Sequence, residues 1–442
     1  MSASLIALVS GLCSITPLAA QDQADTSASE QSPAEGSQTT RTFEPAFFTE
    51  YAPRNALDMV SRIPGFSISG GNDGQRGLGQ ADQNVLVNGK RFSSKSDSLR
   101  DQLRRIPASD VVRIELVDGN TLDIPGLTGQ VANVVYVRRG ASGQFRWDVG
   151  FRPHNADLKW YGGEASLTGS TGALDFTVSL SNENNRFGAD GETLVYAPDN
   201  SLAEEQFSSF SGAFDNPKLA TNFTYTLGPA STANLNLSYG EDFYNRDEFE
   251  TGTPVLGPIR QRESKVREDG PEYEIGGDIE FPLGPGSIKL IGLERFERDN
   301  YENTLTDSFS DDRPAIGSRF SQTNEAGERI GRFEYQWQML ASDWQLAGEA
   351  AFNRLDRRSS LFTLDEDGSF RELDFPAGTG GVAEDRYDTS LSWSKPISSA
   401  LSVQIIGGME FSTIEQTGAA ANARSFKRPK GSLDATWKPQ DD

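Results

Sequence analysis

The sequence is 442 residues long, enough for two or three domains, and carries 64 acidic against 41 basic residues for a formal net charge of −23. An acid surplus of that size excludes nucleic acid as a partner, because phosphate contacts need a basic surface. Past residue 20 no apolar run approaches the roughly 20 residues of a membrane helix, so any membrane crossing has to use strands, whose alternation keeps average hydrophobicity low.

Residues 1–20 read as a secretory signal segment, with a mostly apolar run from Leu5 to Leu12 and Pro17-Leu18-Ala19-Ala20 ahead of polar Gln21. The first basic residue is Arg41, so the usual basic start of a leader is absent. Cys13 is the single cysteine and falls in this segment. The mature chain then holds no thiol, which excludes disulfides and thiolate metal sites. Residues 21–39 are mostly Gln, Ser, Thr, Ala, Asp and Glu with no aromatic or branched aliphatic residue. They cannot support a core and are expected to form a disordered linker.

From residue 40 to 141 the pattern is mixed α and β. Ala56, Leu57, Met59, Val60 and Ile63 recur at helical spacing, and Pro64-Gly65 stops that helix. Three short aliphatic runs follow, at Val85–Val87, Val111–Val117 and Val131–Val137, separated by turns at Gly70-Gly71, Gly77–Gly79 and Asn88-Gly89. A compact α+β unit of about 100 residues is expected.

From 142 to 442 the period is 2. Leu174, Phe176, Val178 and Leu180 alternate with polar neighbours, as do Leu235, Leu237 and Tyr239, then Tyr273, Ile275, Ile279 and Phe281, then Tyr387, Leu391 and Trp393. Alternation alone suits a soluble sandwich as well as a membrane barrel. Connection lengths separate them: short turns near 169–172, 228–231, 283–286, 340–343 and 396–400 alternate with polar segments near 182–217, 241–270, 297–326, 355–385 and 413–428. Tight turns at one rim and long loops at the other are the habit of a transmembrane barrel. Trp147, Trp160, Tyr161, Tyr225, Trp337, Trp344, Trp393 and Trp437 sit beside turns or loop starts, where an interfacial girdle belongs. The count reaches about twelve strands, and the final Lys438-Pro439 resembles the earlier turn at Lys395-Pro396 rather than a closing strand, so the barrel is expected to be incomplete.

Catalytic chemistry finds little material. His154 is the sole histidine, in a loop-like Pro-His-Asn, so histidine metal sites and Ser-His-Asp catalysis have almost no basis. The acidic clusters Glu204-Glu205, Asp311-Asp312 and Asp365-Glu366-Asp367 lack the spacing of a calcium loop and read as solvated charge. Gly74, Gly77 and Gly79 follow no apolar strand and open no helix, so they are no phosphate cradle. No catalytic residue, metal or cofactor is expected.

The stretch 56–137 resembles the plug of TonB-dependent outer-membrane receptors. Five pieces carry the likeness in order: Ala56-Leu57-Asp58-Met59-Val60 with Ile63-Pro64-Gly65-Phe66; Arg76-Gly77-Leu78-Gly79; Val85 to Arg91 through Asn88-Gly89-Lys90; Ile106-Pro107-Ala108 leading into Val111 to Leu116 through Arg113 and Glu115; and Gly129 to Val135 through Asn133. Two departures are visible. Asp118-Gly119-Asn120 stands where the family has Arg-Gly-Pro, and Val-Ala-Asn-Val-Val where it has Val-Ile-Asn-Ile-Ile.

The resemblance implies an α+β plug at 40–141 filling an antiparallel transmembrane β-barrel that starts at 142, with about 12 of an expected 22 strands present. It implies a monomer in the outer membrane of a Gram-negative cell, in contact with outer-membrane lipid. The inner-membrane protein TonB is the implied energising partner. The implied ligand is a scarce nutrient such as a siderophore, cobalamin, haem or an oligosaccharide. The residues it marks as plug motif are Pro64, Gly65, Arg76, Gly77, Asn88, Gly89, Arg113, Glu115 and Asn133. By position the TonB-docking segment is Thr40, Arg41, Thr42, Phe43, Glu44 and Pro45, binding by strand addition; the same residues also read as the first strand of the plug. An outer-membrane sensor, or a passive surface barrel without active transport, is the alternative to an importer.

Overall fold

The computed structural model describes residues 40–69, 84–91, 98–119, 122, 124, 127, 129–137, 140–152, 155–311, 313–398, 401–418 and 421–437. The leader, the linker and Cys13 lie outside the described residues, as do Arg76, Gly77 and His154.

Four strands make a first small sheet: β1 (Arg41–Phe43), β2 (Val85–Val87), β3 (Val111–Asp118) and β4 (Gln130–Tyr136), in the order β1-β3-β4-β2. β3 pairs antiparallel with β1 and β4, and β2 runs parallel to β4. Two short helices cover one face, α1 (Ala56–Val60) and α2 (Leu99–Arg104). Each starts on a side-chain cap: Asn55 accepts from the Asp58 amide, and Ser98 from that of Asp101. Phe43, Phe48, Met59, Val60, Leu103, Ile114 and Val134 fill the core between helices and sheet. Leu86, Leu127 and Val131 form a smaller cluster with Leu122 and Ile124 packed on it. The spacing that predicts α1 has no counterpart for α2, whose apolar residues Leu99 and Leu103 are too few to show a period.

The second sheet has thirteen antiparallel strands. They are β5 (Ser142–Gly150), β6 (Lys159–Thr171), β7 (Leu174–Tyr196), β8 (Leu202–Gly228), β9 (Ser231–Pro254), β10 (Arg260–Leu283), β11 (Gly286–Phe309), β12 (Ile316–Gln338), β13 (Asp343–Leu364), β14 (Phe370–Leu373), β15 (Thr379–Pro396), β16 (Leu401–Gly418) and β17 (Asn422–Trp437). Each pairs with its neighbours in chain order from β5 to β17, except that β14 adds only to β13, beside β15. About twelve strands were expected from alternation, and twelve form the continuous path.

The polar segments expected as long loops are instead the outer halves of these strands. β9 and β10, for example, stay in register from Gly240↔Glu272 out to Gly252↔Arg260, through the stretch 241–270. Alternation vanishes there because both faces meet water, while each strand keeps neighbours on both sides and so keeps its hydrogen bonds. Glu204 and Glu205 accordingly lie in strand β8 rather than in a loop.

The two faces of the sheet differ. Next to the short turns the outer face is apolar. A row of Trp337, Trp344 and Trp393 stands in register across β12, β13 and β15, with Trp337 and Trp344 stacked at 6.2 Å. Above it come Ile275, Leu290, Leu346, Leu391 and Ile405, all exposed. That band covers about nine residues of each strand, roughly 25 Å at the usual tilt, the height of a hydrocarbon layer. Beyond it the same face becomes charged, with Arg267–Asp247 at 2.7 Å and Arg298–Glu325 at 2.6 Å.

Candidate functional site: the plug seat and the inner wall

The opposite face carries the small sheet and its helices. Lys90 donates to the Thr232 hydroxyl at 2.6 Å and to Glu280 at 3.3 Å, on β9 and β10. Arg105, at the end of α2, donates through Nε to Glu164 of β6 at 2.8 Å, and their side chains are only 8% and 9% exposed. These contacts identify the inner face of the large sheet. Register places Asn236, Glu274, Asp278 and Asp388 on that same face.

Four residues singled out from sequence are joined in one chain of hydrogen bonds, and a fifth, Asn88, adjoins its end. Arg113 Nε donates to Glu115 at 2.7 Å, Asn133 Nδ2 donates to the other Glu115 oxygen at 2.9 Å, and Asn133 Oδ1 accepts from the Gly89 amide at 2.8 Å. Asn88 Oδ1 in turn accepts from the Tyr136 amide at 3.0 Å. Asn88 and Gly89 both have positive φ, 48° and 77°, as a tight two-residue turn requires. These bonds tie that turn, which follows β2 and closes on the Val87–Lys90 bridge, to β4, and the turn carries Lys90 to the wall. Pro64 and Gly65 sit apart in the turns beyond α1, which ends earlier than the spacing predicts, at Val60 with Ser61 as its cap, and Gly65 has φ 75°. Thr40 to Pro45 are found at the edge of the small sheet: β1 pairs Arg41↔Leu116, Thr42↔Glu115 and Phe43↔Ile114. Phe43 is buried, with its ring edge-on to Phe47 at 5.1 Å. Glu44 precedes a 3-10 turn beginning at Pro45.

Sequence reading missed Arg105 and Glu164. They stand 59 positions apart in unrelated patterns, and no local signal joins them.

Higher on the wall the charges pair with one another. Glu349 receives Arg386 at 2.6 Å and Arg332 at 3.4 Å, and Lys430 bridges Asp388 at 3.0 Å and Glu410. In the outer halves the inner face turns aromatic, with Phe187 stacked on Tyr244 at 5.8 Å and Arg246 over Phe210 at 4.6 Å. Near the outer rim Arg262 donates twice to Asp307, at 2.7 and 2.8 Å. Those hydrogen bonds hold the Asp307 carboxyl below its ordinary value against the opposing effect of burial. A depressed carboxylate contributes stability above its unfolded pKa of about 3.9, lost as pH falls through the lower native value. Asp307→Asn should therefore lower the amide protection factors over 300–309 relative to the parent protein at neutral pH, with the difference shrinking in acid. Indistinguishable exchange in the two proteins would refute it.

The acidic clusters are engaged locally: Glu204 with Arg260 at 3.3 Å, Asp311 with Arg313 at 2.7 Å, Asp365 with Arg371 at 2.9 Å.

The family model of the TonB-dependent receptor plug domain matches residues 32–126. The chain carries a TonB-dependent receptor plug domain. A search of curated proteins gave no match. Among solved structures the chain is similar to the siderophore receptor PiuA from Acinetobacter baumannii, at 11% identity and TM-score 0.38, covering 91% of this chain and 62% of that one. It is similar to the ferric-catecholate import receptor Fiu from E. coli K12, at 10% identity and TM-score 0.36, with 92% and 64% covered. For the ferric yersiniabactin uptake receptor FyuA from Yersinia pestis the values are 10%, 0.22, 91% and 79%. The chain thus spans under two thirds of the length of the first two receptors.

Proposed function

We propose that the protein is an energy-dependent importer of the Gram-negative outer membrane, acting as a monomer with residues 40–141 as plug and 142–442 as part of its barrel. The observation that carries this is the plug seated on the inner wall through Arg105–Glu164 and Lys90–Glu280. A solute can pass only if that seat is disturbed. Breaking a buried ion pair is costly, so transport through this wall calls for work supplied from outside. TonB is the proposed source, docking by strand addition on Thr40–Pro45. The ligand is a scarce nutrient, with siderophores first and cobalamin, haem or oligosaccharides as further candidates. The apolar outer band supports lipid as the proposed surroundings of the barrel.

The experiment is uptake in cells expressing the full-length protein, using ferric siderophores, cobalamin, haem and maltodextrins as probes, with TonB present or deleted. Accumulation of one probe only when TonB is present is expected. Uptake of every transported probe at equal rates without TonB would sink the proposal.

A further inference from the structure

The backbone ladder of the large sheet is interrupted along one line just above the apolar band. Between Asp269↔Asn300 and Glu272↔Glu297 strands β10 and β11 are unpaired, with Gly270 opposite Asp299 and Pro271 opposite Arg298. Strands β8 and β9 are interrupted at the same level, between Asp215↔Phe243 and Lys218↔Gly240, where Asn216 and Pro217 stand. β9 and β10 stay paired with each other there, as Asp242↔Gly270 and Glu241↔Pro271. Proline has no N–H to give a ladder, and a Cβ at Gly270 would collide with the Arg298 carbonyl oxygen, so glycine lets β11 approach. The β9–β10 pair is thus bordered at this level by a seam on each side.

Carboxyl groups gather on the inner face of the β10–β11 seam. Asp242, Glu268 and Asp299 follow the alternation that puts Glu274 and Asp278 inside. Asp299 Oδ2 accepts from Asn324 Nδ2 at 3.2 Å, and Arg357 orients that carboxamide by donating from Nε to its Oδ1 at 3.0 Å. Asp299 Oδ1 is buried and accepts no hydrogen bond from an amide, hydroxyl or cationic donor among the described residues. Glu268 brings its carboxyl within hydrogen-bonding reach of Asp299. Neighbouring cations of the inner face meet other carboxylates: Lys218 meets Glu272 at 2.9 Å, Arg246 meets Glu248 at 2.8 Å and Arg295 meets Glu297 at 3.2 Å. Tyr244 stacks on Phe187, and Tyr301 leans on Phe320. Burial, and then the charge of Asp299, raises the Glu268 carboxyl above its ordinary value, and burial raises that of Asp242. An ionised Glu268 leaves Asp299 Oδ1 without a donor, and a protonated one supplies it.

We propose that Glu268 and Asp299 share one proton across the gap between β10 and β11, forming a pH-sensitive seam in the wall. With the proton in place the two strands are bridged where their ladder is broken. Its loss leaves two carboxylates facing each other, and the seam loosens. A raised carboxyl binds its proton more tightly in the closed seam than in an open one, so the bridge is present in acid and lost as pH rises through the raised value. The seam works in this way whether or not the protein imports a solute.

Hydrogen exchange read by mass spectrometry on the full-length protein in detergent is the test, with protection factors corrected for the intrinsic pH dependence of amide exchange. Peptides covering 266–272 and 297–302 report the seam. Peptides covering 318–325 and 356–363, where β12 and β13 stay paired, report an intact ladder and establish that each variant is folded. The expected result is severalfold higher seam protection in mild acid than at neutral pH, with the intact ladder unchanged. Glu268→Gln, whose carboxamide donates at any pH, should keep the acid value at neutral pH. Gly270→Ala, which forces the strands apart without removing a titratable group, should hold seam protection low at both. Equal seam protection in acid and at neutral pH in the parent protein overturns the proposal. A Glu268→Gln protein that keeps the parent's pH dependence overturns it too, because the proton then sits elsewhere.

Discussion

Arg105→Ala should cost about 3–5 kcal/mol of plug stability, because it leaves Glu164 ionised and buried with its partner removed. The pair joins the plug to β6 at 2.8 Å with both side chains under one tenth exposed, so solvent screening does little to soften the loss. The companion contact behaves differently. Lys90 and Glu280 are 43% and 32% exposed, and an ion pair so accessible is worth about 0–1 kcal/mol. Lys90→Ala should therefore be nearly silent in stability while Arg105→Ala is not. Thermal unfolding of the purified full-length protein compares them, and sensitivity of cells to antibiotics too large for ordinary porins reads how well the plug still closes the lumen. Equal effects of the two substitutions would contradict the ranking. The double variant Arg105→Met with Glu164→Leu should recover much of the loss, since replacing a buried pair by apolar residues removes the stranded charge.

What could be read from sequence follows from how local each signal is. Strands β7 to β16 announce themselves near the short turns, where lipid on one face and the lumen on the other force a period of 2, as in Leu235 and Leu237 against Asn234 and Asn236. The same strands fall silent past Glu241 or Asp269, where the outer face is charged, the inner face mixes aromatics such as Tyr244 with charges, and the backbone ladder continues. Backbone hydrogen bonds leave no trace in composition, so those halves read as loops. The hydrogen-bond chain of Arg113, Glu115, Asn133 and Gly89, with Asn88 adjoining, was legible as a set of motif residues, yet its purpose was not. That purpose depends on Lys90 meeting Thr232 and Glu280 across sequence separations of 142 and 190. Helix α2 is short and its cap, Ser98 with Asp101, is a weak signal without an apolar period behind it.

The position of Phe43 turns the docking proposal into a question with a sign. β1 is three residues long and lies at the edge of the small sheet, on β3. Its backbone bonds are few, so its hold on the plug depends on the buried Phe43 ring, which packs on buried Phe48 at 6.3 Å and under exposed Phe47 at 5.1 Å. A partner that takes Thr40–Pro45 by strand addition needs the backbone edge that β3 now occupies. Docking then competes with β1–β3 pairing, and the affinity observed is the intrinsic affinity multiplied by the fraction of molecules with β1 released. Phe43→Ala removes a buried ring worth about 3–5 kcal/mol. If about half of that loosens β1 selectively, the released fraction rises by roughly tenfold or more. Binding of the variant to the TonB C-terminal domain should therefore tighten, measured by calorimetry with full-length protein in detergent. Arg41→Ala, a change at an exposed residue of the same strand, should leave it within about twofold. Weaker binding by Phe43→Ala would mean that the ring itself is gripped and that β1 is not what must be freed. Unchanged binding would move the docking segment away from Thr40–Pro45, leaving these residues as the edge strand they form in the plug sheet.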